Sequence, residues 1–193
     1  MRKDTQWYRT EVVAVRELCD GVRELVLDAG DAARAFEVGS HLDFRLTLDG
    51  REALRSYSLV GEPADDGRYR IAVRRMPDSR SGSRHMWTLQ PGDTLWASAP
   101  SNAFALDSQA PEILLVAGGI GITPLVGMAQ RLARRHPAFR LVYSGRRRDA
   151  MAYLPELQAL LGERLQLHCD DHGGAPDLAA ELARLSPSAE VYV

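Results

Sequence analysis

Ile113-Leu114-Leu115-Val116-Ala117-Gly118-Gly119-Ile120-Gly121-Ile122-Thr123-Pro124 is the stretch on which the fold turns. Its apolar opening, within Glu112–Ala117, reads as a strand buried on both faces. The glycines then let the backbone turn sharply and approach a ligand with no Cβ in the way. Thr123 is a good N-cap and Pro124 a favoured first helical residue, so a helix is expected from Pro124 to about Arg135. Strand, glycine turn and helix N-terminus together make a ready anion site. The run is not G-x-G-x-x-G, because Pro124 stands at the third glycine position. The next strand, Phe139–Ser144, does not close on an acidic residue. Tyr143-Ser144-Gly145 runs into Arg146, Arg147 and Arg148. That position ordinarily faces a ribose, and arginines there suit a phosphate. The plain alternative is a tight turn followed by a solvated charge run.

Downstream the alternation continues. Pro155–Leu161 reads as a helix, Arg164–Cys169 as a strand, Leu178–Leu185 as a helix and Glu190–Val193 as a strand. Strands alternating with helices in short units predict a parallel sheet with helices on its faces. The last strand stops without its loop, where open parallel sheets place their ligands. The chain is therefore expected to be incomplete there.

Upstream of Pro111 the pattern is different. Glu11–Leu18 and Val22–Leu27 are strand-like around the turn Cys19-Asp20-Gly21. His41–Leu48 alternates with period 2, Asp49-Gly50 is a strong hairpin signal, and Arg51–Val60 is its partner. Tyr69–Arg75 and Thr94–Ala97 are further strands, the second preceded by the turn Pro91-Gly92-Asp93, and only Ser83–Leu89 looks helical. Short strands with close turn signals predict a small antiparallel barrel. The expected class is thus β plus α/β, with a barrel over residues 1–107 and a parallel α/β domain over 108–193.

Composition narrows the function classes. The 193 residues are 45% hydrophobic and 26% charged, an ordinary globular balance. A net charge of -2 lacks the broad positive field of a protein that coats nucleic acid, so none is expected as a partner. Lys3 is the only lysine. Arginine favours forked recognition of phosphate or carboxylate, although codon usage in a GC-rich genome explains the total as well. Cys19 and Cys169 are not in a C-x-x-C spacing, so no cysteine-ligated metal is expected within the chain. A reduced, cytoplasmic setting fits. The opening MRKDTQWYRTEVV lacks the apolar core of a signal peptide, no apolar run approaches the ~18 residues of a membrane span, and no membrane partner is expected.

Two further segments carry chemistry. In Arg55-Ser56-Tyr57-Ser58-Leu59, Arg55 and Tyr57 share one face of a strand. A guanidinium beside a phenol ring can hold an anion and stack on a planar ring at once. The plain alternative is an exposed arginine and a packed tyrosine. Ser81-Gly82-Ser83 before the short helix offers a second phosphate-sized nest or, more plainly, an N-cap. His168-Cys169-Asp170-Asp171-His172 is discounted as a metal cluster, since neighbours on a strand point to opposite faces. His41 reads as a half-buried strand residue, and His85 and His136 as helix-end or surface residues.

Taken in series, Gly39-Ser40-His41, RSYSL at 55–59, Ala72-Val73-Arg74, Ser81-Gly82-Ser83, AGGIGITP at 117–124 and Tyr143-Ser144-Gly145-Arg146 resemble the ferredoxin–NADP reductase superfamily. The resemblance is greatest to the phthalate dioxygenase reductase and vanillate demethylase reductase group, and it covers nearly the whole chain. It implies a flavin-binding barrel followed by a nicotinamide-nucleotide-binding domain. It implies that Arg55 binds flavin phosphate, that Tyr57 packs on the flavin ring and that Ser58 lies by its reactive edge. Ser58 can do so only if the strand ends or twists there. By the same resemblance Ala72, Val73 and Arg74 line the flavin, and Gly82 and Ser83 hold its phosphate. Gly118, Gly119, Gly121 and Thr123 meet the nicotinamide nucleotide, and Arg146 reaches its phosphates or ribose. Ser58 and Thr123 are the expected catalytic pair.

The resemblance implies an NAD(P)H-dependent flavin oxidoreductase, the reductase component of a Rieske-type oxygenase. Hydride passes from NAD(P)H to a bound flavin, then single electrons pass to an iron–sulfur centre and an oxygenase. FMN is expected, with FAD as the alternative that Trp87 keeps open as an adenine platform. NADH is expected, with NADPH favoured by Arg146–Arg148. The family's Cys-Gly-Pro loop and the group's C-terminal [2Fe-2S] domain are expected only beyond Val193. Expected partners are an iron–sulfur domain or ferredoxin and a terminal oxygenase. Alternatives are a reductase releasing free reduced flavin and a non-enzymatic flavoprotein that relays electrons or senses redox state.

Overall fold

In a computed structural model that describes residues 6–76, 82–135, 138–171 and 174–193, the first half of the chain forms one antiparallel sheet. Its strands are β1 (Trp7–Cys19), β2 (Val22–Asp28), β3 (His41–Leu48), β4 (Arg51–Ser58), β5 (Tyr69–Arg74) and β6 (Thr94–Ser98), with helix α1 (Gly82–Thr88) between the last two. The order is β4-β3-β6-β1-β2-β5. Leu59 bridges Ile71, and the Val60 amide donates to the Arg70 carbonyl at 2.8 Å, closing the sheet into the predicted barrel. Asp49 and Gly50 both have positive φ, 50° and 74°, the turn geometry whose twist matches that of the β3–β4 hairpin. Alternation sends Leu42, Phe44, Leu46 and Leu48 inward, where they meet Leu25, Leu27, Ile71, Val73 and the plug residues Met86 and Leu89.

β1 starts at Trp7, four residues before the expected Glu11. Trp7–Glu11 pairs with β6, and from Glu11 onward the strand pairs with β2. The first stretch is a strand only because a partner far along the chain meets it, which local pattern does not reveal.

The second half is a parallel sheet, in the order β10-β7-β8-β9. Its elements are β7 (Ile113–Gly118), α2 (Ile122–Arg135), β8 (Phe139–Gly145), α3 (Leu154–Leu161), β9 (Leu165–Cys169), α4 (Leu178–Ala183) and β10 (Glu190–Tyr192). Leu125, Met128, Ala129 and Leu132 of α2 and Leu157 and Leu161 of α3 pack with Ile113, Leu115 and Leu141 of the sheet. On the opposite face Leu114, Val116 and Val142 meet Leu185 and Val191.

The two halves are joined by packing and by charge. Val38, Val60 and Ala72 of the barrel share one apolar cluster with Leu125 and Met128. A Cβ at Gly127 of α2 would run into the Gly61 carbonyl, so only glycine allows this approach. Beside it Arg131 pairs with Glu37 at 2.5 Å and Glu62 at 3.4 Å, and Arg134 also pairs with Glu62. No helix among the described residues is long and apolar enough to cross a membrane.

Candidate functional site

A cavity of about 650 Å³ opens along the seam between the two halves. Tyr57 and Ser58 at the end of β4, and Ala72 and Arg74 on β5, form its barrel wall. Ile120, Gly121, Thr123 and Pro124 form the facing wall. The two segments that carry the sequence argument therefore border one space, of a size suited to a cofactor. β4 ends at Ser58, and this lets Tyr57 and Ser58 border the same cavity although strict alternation would send them to opposite faces. The ring of Tyr57 is fixed edge-on against Phe44 at 5.9 Å. Burial pushes its phenol above the ordinary value, and the nearby Arg55 guanidinium pulls the other way.

Arg55, Gly82 and Ser83 come together at the start of α1, outside the cavity lining. A Cβ at Gly82 would lie 2.6 Å from Nε of Arg55, so the guanidinium rests against the start of α1. The buried Oγ of Ser83 has no hydrogen-bond partner among the described residues. A cation, an orphaned hydroxyl and a glycine without a side chain suit an anionic group such as a flavin phosphate. Ser81, the first residue of the expected nest, lies outside the described residues, as do His136 and His172.

The glycine turn is built differently from the expectation. Gly119–Gly121 forms a single 3-10 turn and α2 already begins at Ile122. Thr123 is therefore inside the helix and is not its N-cap: its hydroxyl donates to the Ile120 carbonyl at 3.1 Å. Pro124 remains in the first turn, where a missing N–H costs nothing. Gly119 has φ 52°, and a Cβ there would meet Nη1 of Arg74 at 3.1 Å. Beneath the turn the buried Tyr143 hydroxyl faces the Gly119 carbonyl at 3.3 Å and the Ala152 carbonyl at 3.2 Å.

Besides Arg55, Gly82 and Ser83, four expected residues, Val73, Gly118, Gly119 and Arg146, are outside the cavity lining. Period-2 alternation puts the Val73 side chain into the barrel core, so only its backbone can face a flavin there. Gly118 is the exposed end of β7, beside Ser144. Arg146 is exposed past the end of β8 and outside the cavity lining. Its neighbour Arg147 is held by Asp149 through two contacts, one of 2.9 Å from Nε, which lowers the Asp149 carboxyl pKa and raises that of the guanidinium. Cys169 is buried with Sγ 3.6 Å from the Met151 sulfur. His41 is half-buried as expected, yet it also borders the cavity, 3.9 Å from Asp43.

Sequence reading missed Phe104, Met76 and Pro124 as lining residues. Phe104 comes from an irregular connection with no periodicity. One available signal was Asn102, whose Oδ1 accepts from the Phe104 amide at 2.9 Å while its Nδ2 donates to the Val38 carbonyl at 3.0 Å.

A closed antiparallel barrel and a parallel sheet thus border one cavity from its two sides. The chain belongs to the oxidoreductase FAD-binding domain family, whose model matches residues 9–106. The oxidoreductase NAD-binding domain model matches residues 115–171. It is thus of the ferredoxin–NADP reductase type, with a flavin domain and a nicotinamide-nucleotide domain in series. The beta subunit of a heme-dependent oxidative N-demethylase from Ectopseudomonas mendocina is 43% identical over 156 residues, 80% of this chain and 50% of that protein. A vanillate O-demethylase oxidoreductase from Pseudomonas putida is 37% identical over 162 residues, 82% of this chain and 49% of that protein. The structure of phthalate dioxygenase reductase, described as modular for electron transfer from pyridine nucleotides to [2Fe-2S], superposes with a TM-score of 0.84 at 30% identity, covering 96% of this chain and 59% of that one. The chain spans about half the length of the curated relatives it matches.

Proposed function

We propose that this chain is the flavin- and nicotinamide-binding part of an oxygenase reductase, with residues 1–107 for the flavin and 108–193 for the nucleotide. The observation that carries the reading is that Tyr57 and Ser58 of the barrel border the same cavity as Gly121 and Thr123 of the parallel domain. A bound flavin supplies conversion of a two-electron hydride transfer into single-electron release. The chain's own residues bind and orient. Arg55, Gly82 and the orphaned Ser83 hydroxyl hold the flavin phosphate. Tyr57 and Ala72 wall the ring, with the Val73 backbone behind it. Ser58, at the strand end, and Thr123 face the reacting edge. Gly118, Gly119 and Gly121 let the protein backbone approach the nucleotide, and Arg146 offers a cation to its phosphate or ribose.

FMN is supported over FAD by Trp87. Its ring lies 4.5 Å from the Arg23 guanidinium and 5.5 Å from that of Arg75, so an adenine would compete with these cations for the platform. NADH is supported by the resemblance to phthalate dioxygenase reductase, while the exposed Arg146 and Arg148 favour NADPH. An iron–sulfur domain or ferredoxin and a terminal oxygenase are the partners that the names of the relatives support. Two free thiols support a cytoplasmic setting.

The test is to load purified protein with FMN or FAD, release the flavin for mass spectrometry, and mix the loaded protein anaerobically with NADH or NADPH. Retention of FMN and its rapid bleaching by NADH are expected. Protein that stays colourless with both flavins ends this reading.

A further inference from the structure

Tyr153 immediately precedes α3 and has a left-handed backbone, φ 60°. A bulky residue keeps that conformation only where its surroundings impose it. Here the ring is buried and the hydroxyl donates to Oε2 of Glu24 on β2 at 2.9 Å. Glu24 is itself 6% exposed, and its other oxygen lies 3.4 Å from Nε of Arg16. The residue before Tyr153, Ala152, offers its carbonyl to the Tyr143 hydroxyl, which also faces the Gly119 carbonyl. A polar chain therefore runs from barrel strand β2 through Glu24, Tyr153 and Ala152 to Tyr143, whose single hydroxyl proton lies between the Ala152 carbonyl and the Gly119 carbonyl of the glycine turn. Its far end returns to the barrel, because Gly119 meets Arg74 on β5. Glu24 pairs in register with Ala72, two residues from Arg74, so both ends rest on one patch of barrel surface.

We propose that Glu24, Tyr153 and Tyr143 are positioning residues for hydride transfer: through Gly119 they set the distance and tilt of the nucleotide turn relative to the flavin barrel. The inference rests on the flavin–nicotinamide reading above. Apolar seams tolerate sliding, whereas hydrogen bonds to a buried carboxylate are directional and costly to leave unmade. A displacement of about 1 Å at a reacting centre costs up to roughly a hundredfold in rate. The local strain at Tyr153 has a purpose in this account: it aims the hydroxyl across the seam.

The experiment is anaerobic stopped-flow reduction of the flavin-loaded protein, by the nicotinamide nucleotide and separately by dithionite. Tyr153→Phe is expected to lower the saturating rate with nucleotide by about tenfold or more. The half-saturating nucleotide concentration, flavin content and dithionite rate should stay within about twofold of wild type. Glu24→Gln keeps an acceptor for the tyrosine and should retain most of the rate, while Glu24→Ala should not. Tyr143→Phe tests the other end of the chain independently and should show the same split. Equal nucleotide rates in wild type and Tyr153→Phe overturn the inference. So does a slowdown shared by nucleotide and dithionite, which marks general loosening. Wild-type protein that binds flavin but is bleached only by dithionite overturns the functional reading, and the inference with it.

Discussion

The guanidinium of Arg74, on the last strand of the barrel's sheet, lies against Gly119 of the nucleotide turn, so closely that a Cβ there would stand 3.1 Å from Nη1. This contact joins two segments 45 residues apart in sequence and puts a barrel cation beside the turn of the other domain. Gly119→Ala places a side chain at φ 52° and crowds that arginine. A loss of about 1–2 kcal/mol in stability is expected from the backbone conformation alone. Weaker nucleotide binding with unchanged flavin content should accompany it. Denaturant unfolding and nucleotide titration check both, and an alanine variant as stable and as active as wild type would show the turn to be unconstrained.

Arg55 is exposed, and among the described residues its guanidinium donates a hydrogen bond only to the adjacent Leu54 carbonyl, at 2.8 Å. Arg55→Ala should therefore leave the barrel's stability nearly unchanged. Removal of charge-assisted contacts to a flavin phosphate is expected to weaken flavin binding by about 1.5–3 kcal/mol, roughly ten- to a hundredfold. Fluorescence titration with FMN, alongside thermal unfolding, separates the two effects. Unchanged FMN affinity removes Arg55 from the site.

Glu62 is the shared acceptor of Arg131 and Arg134 at the seam, and its amide is held by Gln130 at 3.1 Å. Arg131→Ala breaks two ion pairs, the one to Glu62 and another to Glu37. The pairs are partly exposed, so a cost of only about 1 kcal/mol is expected, seen as a fall in Tm of roughly 2–4 °C. High salt should shrink the difference, since it screens exposed charges. A loss that persists undiminished in molar salt would assign the effect to packing instead.

Burial raises the phenol pKa of Tyr57, Tyr143 and Tyr153 above the ordinary value near 10. The sign follows from proton counting. Between the unfolded value and the raised folded value the native state holds more protons, so stability falls as pH rises. Stability is expected to be intact below about pH 10 and to decline above it. Tyrosinate absorbance at 295 nm should include a component that appears only together with loss of circular dichroism. Complete, reversible titration of every tyrosine while the fold persists would contradict this.

Much of the fold was legible in local pattern. The period-2 run His41–Leu48 and the hairpin at Asp49-Gly50 were readable because they depend on neighbours in sequence. The glycine turn after β7 was readable for the same reason, and so was the change from strand runs to strand–helix units. Thr123 is not the N-cap because a 3-10 turn over Gly119–Gly121 draws the helix start back to Ile122. Val73 was assigned to the ligand with its neighbours, although alternation alone would have turned its side chain inward.

By itself the sequence determined the two architectures, the arginine–tyrosine strand and the glycine turn, since each is written in residues within a few positions of one another. Only the tertiary structure decided that Tyr57 and Gly121 share a cavity, that Arg74 reaches Gly119, and that Glu24 and Tyr153 meet across the seam. Such meetings depend on side-chain shape and on burying polar groups with partners, conditions met between residues as far apart as 24 and 153. No local pattern encodes a partner at that separation.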